Sequence, residues 1–344
     1  MRIRSGPVGS VILLVSLSTH SGVDGSQTGE KSQASVLQGE LAAASKVDAR
    51  EWAVYVKELD RISRLEESKT MNPEAAERAK HEAWLRFCAP VSPVSKDADR
   101  LLELISKHPN DPAALETLSF VILTTRNFPL DQARRAAIVL LRNHVRDAKI
   151  SQFTQKSIVL FYVPEAEQLL RTVLEQNPRA DERGRVCYDV AYFLLYQAEK
   201  LRETRKKPEN IKDFAEPWRQ GLVEKFVHEK DPESLTKEAE ALLERCVTEF
   251  ATVPGVDYFD GRLMGDVARR KLFEIRNLRI GKVAPDIQGV DVEGRSFKLS
   301  DYRGKVVVLT FSGNWCVPCQ AIYPHLRELV GRLKEKPLDR KSVV

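Results

Sequence analysis

Two cysteines three positions apart, in Cys316-Val317-Pro318-Cys319, carry the chemistry most legible in this chain. The run before them, Lys305-Val-Val-Val-Leu-Thr-Phe311, is β-branched and apolar and predicts a buried strand. The stretch after them, Gln320 to Lys336, places Leu326, Leu329, Val330 and Leu333 at helical spacing. Strand, short loop, dithiol, helix is an order that sets the cysteines at a helix N-terminus. Unpaired N–H groups and the positive end of the helix dipole favour a thiolate there. A thiolate is the species that attacks a disulfide, so the spacing points to thiol–disulfide exchange.

Three other uses of the motif compete with this one. A zinc site needs two further ligands, usually a second close Cys or His pair. Cys88, Cys187 and Cys246 are single and scattered, and His325 alone does not complete such a site. Covalent haem attachment needs His directly after the second Cys, and residue 320 is Gln. A purely structural disulfide remains open on spacing alone, although the strand–loop–helix context argues for a redox dithiol.

The surrounding residues extend the pattern. Gly281-Lys-Val-Ala-Pro-Asp286 leads into Val290-Asp-Val-Glu-Gly-Arg-Ser-Phe-Lys-Leu-Ser-Asp-Tyr-Arg-Gly-Lys305, where alternation around Glu293-Gly294 predicts a hairpin. Phe311-Ser-Gly-Asn-Trp-Cys-Val-Pro-Cys-Gln320 and Tyr323-Pro324-His325-Leu326 follow, and Pro324 should kink the helix. This stretch resembles the thioredoxin-like redoxins, in particular the TlpA/ResA and AhpC/TSA-related group of exported thiol–disulfide oxidoreductases. The resemblance implies a catalytic pair, Cys316 as attacking thiolate and Cys319 as resolving thiol. It also implies that Trp315 and Pro318 shape the surface and turn at the dithiol. Peroxiredoxins share the Ala284-Pro285-Asp286 approach, so a thiol peroxidase is a competing reading. Paired thiols serve exchange rather than peroxide attack. A non-enzymatic helical scaffold carrying an inactive redoxin is a second competitor.

The resemblance also implies further strands and a cis-proline loop after the first active-site helix. The last residues are instead Asp339-Arg-Lys-Ser-Val-Val344. Back-translated as GAT-CGG-AAG-AGC-GTC-GTG, they spell the start of a widely used sequencing-library adapter. The expectation is that residues 339–344 are an artefactual tail, that the natural protein is longer, and that activity in this chain is doubtful.

At the other end, Arg2 and Arg4 precede a short apolar run, Val8 to Leu17, and small residues including Ser18, Ser21 and Gly22. This predicts a secretory signal peptide over 1–22 and a periplasmic or otherwise exported protein. An uncleaved segment would hold the protein at a membrane. Residues 23–46 are rich in Ser, Gly, Gln and Ala and predict a flexible linker.

From 47 to 278 the pattern is helical, with dense mixed charge and apolar residues three and four apart. Leu-Leu pairs at 101–102, 169–170 and 242–243 sit in similar segments, and Ala136 to Arg142 is a degenerate copy. The spacing is near twice the 34-residue tetratricopeptide period, but the same amphipathic pattern fits a non-repeating bundle. A hairpin array would offer a concave face for a peptide or partner. His81-Glu82 and His228-Glu229 lack a second His at metalloprotease spacing, and His108 and His144 read as surface or capping residues. Cys88, Cys187 and Cys246 read as small buried apolar residues, with one structural disulfide a minor option. Trp52, Trp84 and Trp218 read as core anchors.

A formal charge of +5 over 344 residues arises from nearly balanced acids and bases, and Arg205-Lys206-Lys207 is followed at once by Pro208 and Glu209. Nothing concentrates positive charge for nucleic acid, and no glycine motif cradles phosphate. The reading is therefore α + α/β: a helical hairpin array or bundle over 47–278, then an incomplete thioredoxin-like fold over 279–338. Its partners are protein thiols and disulfides and a redox partner, with no cofactor and no metal.

Overall fold

The computed structural model describes residues 36–87, 93–124, 130–154, 160–208, 211, 217–255, 261–291, 293–311 and 315–332. The expected signal peptide, Cys88 and the expected tail lie outside them. Among the described residues eleven helices come first: α1 (Val36–Glu67), α2 (Pro73–Phe87), α3 (Pro93–Lys107), α4 (Ala114–Thr124), α5 (Leu130–Asn143), α6 (Ser151–Thr154), α7 (Pro164–Gln176), α8 (Ala180–Lys206), α9 (Pro217–Glu229), α10 (Pro232–Thr248) and α11 (Met264–Asn277). A hairpin, β1 (Gln288–Val290) and β2 (Ser296–Lys298), a 3-10 turn and α12 (Val317–Arg332) complete the described chain. Among the described residues no helix is long and apolar enough to cross a membrane.

Local chemistry sets the helix starts. Proline opens α2, α3, α7, α9 and α10, where its missing N–H costs nothing. Asn72 Oδ1 accepts the Ala75 N–H at 2.8 Å and Asp231 Oδ2 accepts the Ser234 N–H at 2.7 Å, capping α2 and α10. The helices then pack largely in chain order: α1 on α2 and α3, α4 on α5, α5 on α7, α7 on α8, α8 on α10 and α10 on α11. The three Leu-Leu pairs all fall in one continuous core. That burial serves a repeat array and a bundle alike, because each buries one apolar stripe per helix.

Three expectations are corrected. The linker read over 23–46 gives way to helix at Val36, because Leu37, Leu41 and Ala44 fall on one helical face and are buried. His144, read as a surface or capping residue, is buried just past α5, with Nδ1 2.8 Å from Asp147 Oδ2. The strand expected over 305–311 is neither paired nor buried. Val306 is 97% exposed and Phe311 78% exposed. A buried strand needs partners on its edges and cover on its faces. Among the described residues the sheet holds only β1 and β2, paired antiparallel with each other from Gln288↔Lys298 to Val290↔Ser296.

The hairpin itself forms where expected. Asp291 Oδ1 accepts N–H groups of Glu293 and Arg295, each at 2.9 Å, and Gly294 takes the φ of +81° that the turn requires. Asp286 reaches back to the end of β2, accepting the Ser300 N–H at 2.8 Å and its hydroxyl at 2.9 Å. Those bonds hold the Asp286 carboxyl below its ordinary pKa.

Candidate functional site

Cys316 is the residue directly before α12, and Cys319 lies in its first turn. The two are joined as a disulfide with Cα atoms 5.2 Å apart. The Cys319 N–H donates to Cys316 Sγ at 3.3 Å. Cys316 thus stands in the position of an N-capping side chain, where a Ser or Asp oxygen would accept the same orphan N–H. That orphan N–H and the positive end of the helix dipole both face the Cys316 sulfur.

Pro318 falls in the first turn of α12, where a proline needs no hydrogen-bond donor. Pro324 lies inside the helix, as expected. Trp315, immediately before the dithiol, is 88% exposed, and Ile322 is half exposed. Cys316 and Cys319 are both partly buried. The dithiol therefore sits beside an exposed aromatic and downstream of the exposed Val306–Leu309 run.

The helical region holds features the sequence did not disclose. A cavity of about 580 Å³ lies among α7, α8 and α9, lined by Tyr162, Glu167, Gln197, Phe226 and Lys230 among others. Burial disfavours the Glu167 carboxylate, but hydrogen bonds from Lys230 and Arg171 outweigh it and leave its pKa below the ordinary value. Deeper in the core, Asp189 is pushed up to about 7 by burial, against a hydrogen bond from Thr154. A lone aspartate in a helix dense with mixed charge reads as solvated, so nothing in the sequence marked it. Among the described residues no group of three or more His, Cys, Asp or Glu side chains is placed to hold a metal ion.

Comparison with known proteins falls on this C-terminal segment. Residues 280–340 match the AhpC/TSA family. A thiol-disulfide oxidoreductase ResA of Bacillus thuringiensis subsp. konkukian (strain 97-27) is 42% identical over 62 residues, 18% of this chain and 36% of that protein. The ResA of Geobacillus thermodenitrificans (strain NG80-2) is 50% identical over 50 residues, 14% of this chain and 29% of its own length. That of Oceanobacillus iheyensis is 38% identical over 69 residues, 19% and 36% respectively. The chain spans about a third of the length of these curated relatives. No solved structure matches it at a significant level. Residues 280–340 are thus similar to the AhpC/TSA family and to part of the ResA proteins, and they follow a helical N-terminal region.

Proposed function

We propose that the protein is an exported thiol–disulfide oxidoreductase that works through Cys316 and Cys319. The observation that carries this reading is the Cys319 N–H directed at Cys316 Sγ at the start of α12. In the reduced form, the Cys316 thiolate attacks a client disulfide. The client S–S bond breaks, one client thiolate leaves, and a Cys316–client mixed disulfide remains. Cys319 then loses its proton and attacks the Cys316 sulfur, releasing the second client thiol and closing the Cys316–Cys319 bond. Two electrons pass from the dithiol to the client. From the oxidised form the same steps run in reverse and oxidise a client dithiol.

The charged and apolar residues over 1–22 support export, which would place the dithiol in an oxidising compartment, where a redox partner must recharge it. Exposed Trp315 would meet the client beside the reacting sulfur. The test is a Cys319→Ser variant of the full chain, mixed with a disulfide-bearing protein and resolved without reductant. Adducts linked through Cys316 are expected to accumulate, because the resolving thiol is absent. Their absence, alongside an unmodified Cys316, would leave the helical-scaffold reading. The mass of protein secreted from a bacterial host reads the leader: cleavage near Gly22 is expected.

A further inference from the structure

α8 and α10 make the most extensive pairing among the described helices. Small residues let them approach. A methyl group at Gly184 of α8 would lie 3.0 Å from the Phe250 side chain, just beyond α10. One turn further along α8, Cys187 Sγ donates to the Leu242 carbonyl at 3.3 Å. Leu242 is one turn before Cys246, and Cys187 and Cys246 are both free, buried thiols. Both side chains are fully buried. The fold thus brings two thiols from distant parts of the chain into one dry helix–helix interface, Cys187 one turn from Cys246 across it, apart from the Cys316–Cys319 site.

We propose that Cys187 and Cys246 form a disulfide that staples α8 to α10 when the chain folds in the presence of a disulfide oxidant. With glutathione disulfide, one cysteine thiolate attacks and forms a mixed disulfide, releasing one glutathione thiolate. The second cysteine, once deprotonated, attacks the protein sulfur of that mixed disulfide and releases the other. Two electrons leave the cysteines, the oxidant becomes two glutathione thiols, and the cysteine protons end on them. In the folded protein the Cys187 hydrogen bond, burial and the nearby Asp189 carboxylate together raise the Cys246 pKa. A thiol that does not ionise does not exchange. The bond therefore forms during folding or opening, and once closed it stays out of the exchange chemistry at Cys316.

The experiment uses the full chain carrying Cys316→Ser and Cys319→Ser, so its outcome does not depend on the redoxin reading. The protein is refolded from denaturant with glutathione disulfide or with dithiothreitol, alkylated and mapped by mass spectrometry. A Cys187–Cys246 linked peptide is expected only after oxidative refolding, with a Tm roughly 5–10 °C above the reduced form. A further Cys246→Ala change should abolish the link and the shift. Added to protein already folded and reduced, glutathione disulfide should give no link within hours. The unsubstituted chain purified without reductant supplies a second map that needs no refolding. Free Cys187 and Cys246 in both maps, a link to Cys88 instead, or a linked form that melts no higher than the reduced one would overturn the proposal.

Discussion

Thr154 Oγ1 donates to Asp189 Oδ2 at 2.5 Å inside the helical core, tying α6 to α8 around a carboxyl that solvent does not reach. The folded protein holds the Asp189 proton up to about pH 7, whereas an unfolded chain releases it near the ordinary value of 3.8. Below about pH 4 both states are protonated. As pH rises from there to 7, the unfolded state gains and stability falls. The loss is up to about 4 kcal/mol, an upper bound for a shift of that size. Chemical denaturation of the wild type and Asp189→Asn from pH 4 to 8 checks this. The difference between them should grow toward pH 8 in favour of Asn, and a constant difference would contradict the burial argument.

A second prediction concerns close packing. Gly184→Ala should destabilise by roughly 1–3 kcal/mol, because its methyl meets Phe250 Cβ, Cγ and Cδ1 at 3.0 Å and that ring is packed in the core. Gly39→Ala in α1, with nothing within 4 Å, should instead stabilise by about 0.5–1 kcal/mol through helix propensity. Equal effects at the two sites in a thermal melt would mean that α8 does not approach Phe250 as closely as described.

At the dithiol, after reduction, Cys316 should be alkylated about tenfold faster than Cys319 at mildly acidic pH. Both cysteines are partly buried, so the thiolate fraction favoured by the Cys319 N–H decides the rate rather than access alone. Equal rates, or a faster Cys319, would sink the assigned roles.

The segment after α11 should be the first to be cut. Ile280 is fully exposed, Gly281 takes a φ of +87°, and Val306, Val308 and Phe311 lie open to solvent. Limited trypsin digestion is expected to cleave at Arg279 or Lys282 and leave a resistant helical fragment. The released segment should aggregate readily, because its apolar run is unpaired. Protection of the C-terminal segment equal to that of α8 and α10 would show that it is docked and covered.

Much of this was legible in the residues themselves. The order of turn, dithiol and amphipathic helix placed Cys316 at a helix start, since capping and periodicity are local. Glu293-Gly294 marked its hairpin for the same reason, because the Asp291 side chain and a positive φ at Gly294 complete the turn within five residues. The start of α1 was misread because the Ser- and Ala-rich stretch hides three buried positions, Leu37, Leu41 and Ala44, that only the packed core explains.

What the sequence alone determined was the place of the dithiol at a helix start and the amphipathic stripes, properties set by neighbours a few residues away. The tertiary structure decided what depends on partners distant in the chain. Val306 to Phe311 has the composition of a buried strand, but burial requires neighbours to pair and cover it, and among the described residues it stands exposed. Asp189, Cys187 and Cys246 look like ordinary helix residues. The packing of α8 against α6 and α10 raises the one carboxyl by burial and brings the two thiols into one interface.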